Sequence, residues 1–131
     1  MSTRAELEAL YSSYLDACNA HDLARMSTFY SPDIKVNDAP MQHDAVAAQF
    51  APIFAAFPDW HWTVRNLAID GDLISLHFTV TGTHRGTYLD LPATHRRVAI
   101  TQFTLYRVTD GLFADVWDLA DMAAIPGQLT D

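Results

Sequence analysis

Two residues of this 131-residue chain, His84 and Asp118, interrupt runs that otherwise read as apolar, and both can move protons. Side chains of an extended strand alternate faces, so Ile74, Leu76, Phe78, Val80, Gly82 and His84 share one side, opposite Ser75, His77, Thr79 and Thr81. His84 thus closes an apolar row. The same count in the last strand groups Leu112, Ala114, Val116 and Asp118 against Phe113, Asp115, Trp117 and Leu119. A hairpin turn at Asp110-Gly111 pairs Val108 with about Leu112. Counting back then places Gln102 opposite Asp118, on a face shared with Val98, Ile100 and Thr104. A carboxylate in apolar surroundings must be hydrogen-bonded, have a raised pKa or face water, and each outcome suits a general base. Either residue alone is often a satisfied structural group. The two together, with a glutamine beside one, point to a pocket.

Around that pair, Trp60, Trp62, Phe50, Phe54 and Phe78 can supply flat apolar walls for a substrate, although core packing is the default role of such side chains. Tyr14 and Tyr30 can aim hydroxyls at the same space. Arg85 follows His84 and so points outward, Arg96 and Arg97 read as a solvated edge, and Asp115 and Asp121 read as surface or dimer-interface groups. His61 and His77 lack a Cys, His or Glu at metal-ligand spacing, so no metal site is expected.

The elements that must hold these residues change character midway. Thr3 and Glu6 have the spacing of a capping box, and Leu7, Leu10, Tyr11, Tyr14, Leu15 and Cys18 form one helical stripe. Asp22 caps a second helix predicted to run through Tyr30, and a brief strand follows near residues 34–36. A third helix is predicted over 44–57, kinked or split by Pro52. From Pro58 the period falls to two, giving strands from about Trp60, over 73–83 and 97–108, and from 112 to about 122. The expectation is one α+β domain over 1–131, with three N-terminal helices packed on a mostly antiparallel sheet.

Bulk properties narrow the function. A hydrophobic fraction of 50% is enough for a core without disulfides, and the lone Cys18 excludes an internal disulfide framework. A formal charge of −8, from 16 acidic against 8 basic residues, repels nucleic acid. The opening residues lack a signal-peptide pattern and no apolar run is long enough for a bilayer, so a soluble cytoplasmic protein without a membrane partner is expected.

Four landmarks, in order, carry a resemblance. These are Phe57-Pro58-Asp59-Trp60; Gly82-Thr83-His84 with Gly86; Leu91-Pro92-Ala93-Thr94-His95-Arg96; and Asp110-Gly111 leading to Trp117-Asp118. Over nearly its whole length the chain resembles the SnoaL-like polyketide cyclases. They lie within the cone-shaped superfamily that includes nuclear transport factor, ketosteroid isomerase, scytalone dehydratase and limonene-epoxide hydrolase. The resemblance implies a strongly curved sheet closing as a cone on a deep internal pocket, a homodimer, and no metal or organic cofactor. It implies Asp118 as acid/base for intramolecular aldol closure of a small apolar or aromatic polyketide-like substrate, with His84 binding a substrate oxygen; Gln102, placed beside Asp118 by the strand count, can help His84 stabilise an enolate oxygen. Two positions depart from the family: His95 replaces a usual glycine, and Cys18 stands where some cyclases carry a substrate-holding tyrosine. Two other readings remain open: an epoxide hydrolase or dehydratase in which Asp118 activates water, and a non-catalytic small-molecule-binding or dimerisation module.

Overall fold

The computed structural model describes residues 2–130. The capping box forms as expected: the Glu6 amide donates to Thr3 Oγ1 at 3.1 Å and the Thr3 amide to Glu6 Oε1 at 3.0 Å, opening α1 (Arg4–Asn19). Its stripe buries Leu7, Tyr11, Tyr14, Ala17 and Cys18. Asp22 caps α2 (Leu23–Ser27), which stops short of Tyr30. Pro32 disfavours helix just before it, and Tyr30 instead opens β1 (Tyr30–Val36), where it pairs with Phe113. The two-residue β2 (Ala39–Pro40) follows.

The helix expected over 44–57 is split into α3 (His43–Ala48) and α4 (Ala51–Ala56). Pro52 lies in the first turn of α4, where its missing amide hydrogen leaves no helical bond unmade. Four helices, not three, therefore precede the long strands β3 (His61–Asp70), β4 (Leu73–Thr83), β5 (Arg97–Thr109) and β6 (Leu112–Ala120). After β6, which ends before Met122, come a 3-10 turn (Met122–Ala124) and α5 (Ile125–Leu129), neither foreseen. Gln128 of α5 clasps both backbone groups of Ala99 at 2.8 and 2.9 Å. No helix is long and apolar enough to cross a membrane among the described residues.

The sheet runs β2-β1-β6-β5-β4-β3, antiparallel throughout except between β1 and β6. Its inner face packs Ile74, Leu76, Phe78 and Val80 of β4 and Val98, Ile100, Tyr106 and Val108 of β5 among the buried core.

Register corrects three expectations. The Asp110-Gly111 turn pairs Thr109 with Leu112, not Val108 with Leu112. One strand step later Arg107 pairs with Asp115 while Val108 pairs with Phe113, which leaves Ala114 as the extra residue of a bulge. The bulge lets Phe113 turn fully into the core, so the inward set is Phe113, Val116 and Asp118 rather than Leu112, Ala114, Val116 and Asp118. Turn and bulge each slip the register by one residue in the same direction. Gln102 accordingly faces Ala120, and the residue opposite Asp118 is Thr104. An even slip preserves parity, so Gln102 and Asp118 still share a face.

Candidate active site

Gln102 is two residues along β5 from the partner of Asp118, a diagonal spacing that long side chains can bridge. Its amide does so. Gln102 Nε2 donates to Asp118 Oδ1 at 2.6 Å, and Gln102 Oε1 accepts from the Trp62 indole Nε1 at 2.9 Å. The Asp118 backbone amide, beyond the reach of β1, donates instead to Asn37 Oδ1 at 2.9 Å. Asn37 can offer that oxygen because it turns the chain out of β1 at φ 50°, a left-handed conformation asparagine tolerates well. Burial pushes the Asp118 carboxyl above its ordinary range, and the bond from Gln102 opposes that rise without cancelling it.

The space in front of the carboxyl is lined by Tyr14 from α1, Tyr30 from β1, Val46 from α3 and Gln49 just after it, and Tyr106 from β5. Tyr14 and Tyr30 share a hydrogen bond of 2.6 Å between their hydroxyls, and Tyr11 donates to Tyr106 at 3.3 Å. Burial raises the pKa values of all four tyrosines and pushes the Cys18 thiol up to about 12. These groups therefore stay neutral and act as donors. Among the described residues no Lys, Arg or His side chain lines this space.

The interior is almost filled. A void of about 40 Å³ lies against Asp118 and a second of about 20 Å³ lies against Cys18, Trp62 and Phe78. Each has room for one to a few waters, whereas pockets for organic ligands span roughly 300–1,000 Å³. Phe50 lines both voids. It is half-buried and lies where α3 breaks before α4, a helix that buries only Ala56.

Of the expected site residues, the structure brings together Asp118, Gln102, Trp62, Tyr14, Phe50 and Phe78. It does not bring His84 to them. Asp118 is level with Thr104, which is level with Leu76, and His84 lies eight residues beyond Leu76 on the same strand line, roughly 25 Å along it. His84 is completely buried and lines neither void. Its Nδ1 accepts the Thr94 amide at 3.1 Å and lies 2.9 Å from Thr94 Oγ1, so the ring proton sits on Nε2, which has no partner. Its backbone bonds Arg96 and His95 and pins the 94–96 turn. His95 holds φ at 60°, which accounts for a glycine being usual there.

Trp60 and Phe54 line neither void. Trp60 packs where a Cβ on Gly82 would come within 2.9 Å of its ring, and Phe54 stacks on His21 at 3.8 Å. Arg85 is exposed, and Asp115 pairs with Arg107 at 3.5 Å on the outer side. Sequence reasoning missed the site roles of Thr104 and Tyr106. Their signal was present, because both share the inward parity of Gln102 on β5, and the Thr104 hydroxyl is a buried polar atom without a partner.

The molecule is thus an α+β domain that encloses one uncompensated carboxyl among neutral hydroxyls, beneath a broken helix. The sequence matches the model of the SnoaL-like polyketide cyclases over residues 8–129, and the chain belongs to that family. No curated protein sequence matches it. Among solved structures it is similar to AclR of Streptomyces galilaeus, provisionally described as a hydroxylase, at 28% identity and TM-score 0.87 over 97% of this chain and 82% of that one. It is similar to TsrD of Streptomyces laurentii at 26% identity and TM-score 0.85, over 98% of each chain. IdmH of Streptomyces antibioticus, provisionally a polyketide cyclase, shares the fold at 23% identity and TM-score 0.84, over 93% of this chain and 96% of that one.

Proposed function

We propose that the protein is a cyclase-type enzyme, working without a cofactor, in which Asp118 takes a proton from a carbon flanked by carbonyls in a small apolar, polyketide-like chain. The observation that carries this reading is a carboxyl whose pKa is raised by burial, held by a neutral amide, with no cation beside it among the described residues. Such a group is a stronger base than a solvated carboxylate. The electron pair of the broken C–H bond passes into an enolate, whose carbon attacks a second carbonyl of the same molecule. The protonated Asp118 then returns its proton to the new alkoxide.

The oxygen-binding role that resemblance gave to His84 passes in this reading to donors that face Asp118: the Tyr14–Tyr30 hydroxyl pair and the unpartnered Thr104 hydroxyl. Room for the substrate comes from outward movement of Phe50 and α4, so that helices and curling sheet close as a cone around the bound chain. Confinement then supplies the proximity that favours ring closure. Water activation for epoxide opening is the weaker reading, because among the described residues no arginine lines the site to assist it.

The working form is a homodimer joined through the outer sheet face, where Phe103 and Leu119 pair across β5 and β6 with exposures of 54% and 76%. Light scattering is expected to give twice the chain mass for the native protein and a single chain mass for Leu119→Lys; a native monomer would overturn this element.

Catalysis is tested by deuterium exchange at the acidic C–H of an aryl 1,3-diketone. The native protein is expected to accelerate exchange, and Asp118→Asn to lose about 10²–10⁴-fold of that acceleration. Equal acceleration by both would overturn the assignment.

A further inference from the structure

Trp62 entered as an apolar wall, yet its indole N–H does something a wall does not. A glutamine amide has nearly the same shape after a half-turn about its last bond, but the turn exchanges donor for acceptor. At Gln102 the two orientations have opposite consequences for Asp118. As it stands, the amide oxygen receives the indole proton at 2.9 Å and the amide nitrogen gives a proton to the carboxyl at 2.6 Å. Turned over, N–H would meet N–H at Trp62, and oxygen would meet oxygen at Asp118 unless the carboxyl were protonated. The indole can only donate. We infer that Trp62 is a positioning residue: it fixes the Gln102 amide so that a donor, never an acceptor, faces Asp118, and thereby keeps that carboxyl a proton acceptor.

The surroundings allow no easy substitute. Trp62 and Gln102 are buried at 6% and 8% exposure, so bulk water does not compete for either group. Asn19, the last residue of α1, clasps the Trp62 backbone on both sides: its Oδ1 accepts the Trp62 amide at 2.8 Å and its Nδ2 donates to the Trp62 carbonyl at 3.1 Å. Phe50 and Phe54 meet the indole edge-on at 5.7 and 6.0 Å between ring centres. Among the described residues, Tyr14 of α1, Tyr30 of β1 and Tyr106 of β5 are the other titratable groups facing the carboxyl; α3 contributes Val46 there, and Gln49 follows just after the helix. Burial keeps those phenols protonated. Gln102 is thus the one side-chain donor bonded to the carboxyl among the described residues. The positioning chain runs from Asn19 through Trp62 and Gln102 to Asp118, and the breaking helix segment that carries Phe50 rests on its middle link.

The catalytic meaning of this chain rests on Asp118 being the base, but its existence does not, so the two are tested apart. In uniformly labelled native protein, the Asp118 carboxyl carbon, assigned by its loss in Asp118→Asn, is followed by NMR against pH. The Trp62 indole proton and the Gln102 side-chain amide protons are expected to shift with the same midpoint as that carboxyl. Trp62→Phe is expected to raise the midpoint by about one to two pH units, the effect of losing a well-formed bond to a charged group. Gln102→Leu is expected to raise it similarly, and the double variant no further than Gln102→Leu alone. Trp60→Phe should leave it unmoved. An indole proton in the native protein that ignores the Asp118 titration would overturn the inference without need of any variant, as would a folded Trp62→Phe protein that titrates like the native one. Either result leaves the diketone exchange of Asp118→Asn to judge the base separately.

Discussion

Phe50→Ala probes the packing around the site most directly, because Phe50 is, with Tyr14, Gln102 and Tyr106, common to the linings of both internal voids. Removing the ring frees roughly 100 Å³ at the packing density of protein interiors. Joined to voids of about 20 and 40 Å³, that space is comparable to the roughly 150 Å³ of apolar cavity that accepts benzene. The side chain is only half-buried, so the destabilisation should fall below that of a fully buried phenylalanine, at about 2–3 kcal/mol. For a chain of 131 residues the unfolding entropy is about 0.28 kcal/mol per kelvin, which converts that loss to a fall in Tm of about 7–11 °C. Thermal unfolding followed by circular dichroism, with and without benzene or indole, reads both quantities. A ligand present at a hundred times its Kd is expected to restore about 2.7 kcal/mol, nearly the whole loss. A Tm within about 2 °C of the native value, together with no ligand-dependent recovery, would refute the view that Phe50 divides and closes the interior.

Three further outcomes follow from single contacts. His95→Gly relieves a left-handed conformation at φ 60° and is expected to add about 1 kcal/mol, or about 4 °C in Tm; no gain would mean that the imidazole makes a compensating interaction. Gly86→Ala drives a Cβ into the Ala55 carbonyl, on the segment where the Arg85 and Gly86 amides both bond Ala56 O at 3.0 Å. It should therefore lower stability by about 1–3 kcal/mol in urea unfolding, and an unchanged midpoint would count against that close approach. Asp118→Asn should stabilise the fold at neutral pH. The native carboxyl has a folded pKa above its unfolded one, so its stabilisation is complete below the unfolded pKa and is lost as pH rises through the folded pKa. The variant's advantage in Tm should accordingly be present at about pH 7 and vanish at about pH 3; an advantage equal at both would point to packing instead of charge.

The sequence made the α+β order, the capping box, the Asp110-Gly111 turn and the helix break just before Pro52 legible because each is local, depending on residues a few positions apart. Parity carried the rest some distance. It placed Gln102 and Asp118 on one face, although the assumed turn pairing and the unseen bulge at Ala114 each displaced the register by one residue. An odd total slip would have put Gln102 and Asp118 on opposite faces, so their agreement depended on there being two one-residue slips rather than one. His84 marks where parity stops being enough. Facing inward does not fix position along a strand, and register alone reveals that His84 belongs to the Thr94 turn rather than to the carboxyl. The fullness of the interior was illegible for a related reason: four tyrosines from α1, β1 and β5 meet there, and their convergence is a property of packing that no single segment encodes. The C-terminal helix escaped notice because five residues with a proline and a glycine carry no helical period to read.

The central claim, that the buried Asp118 carboxyl is the base, is tested most directly by measuring the rate of diketone deuterium exchange as a function of pH beside the NMR titration of Asp118 in the same protein. The rate is expected to rise through a single ionisation whose midpoint coincides with that of Asp118 and lies above the ordinary carboxylate range. A rate that stays flat across the Asp118 titration, or that follows a different ionisation, would contradict it.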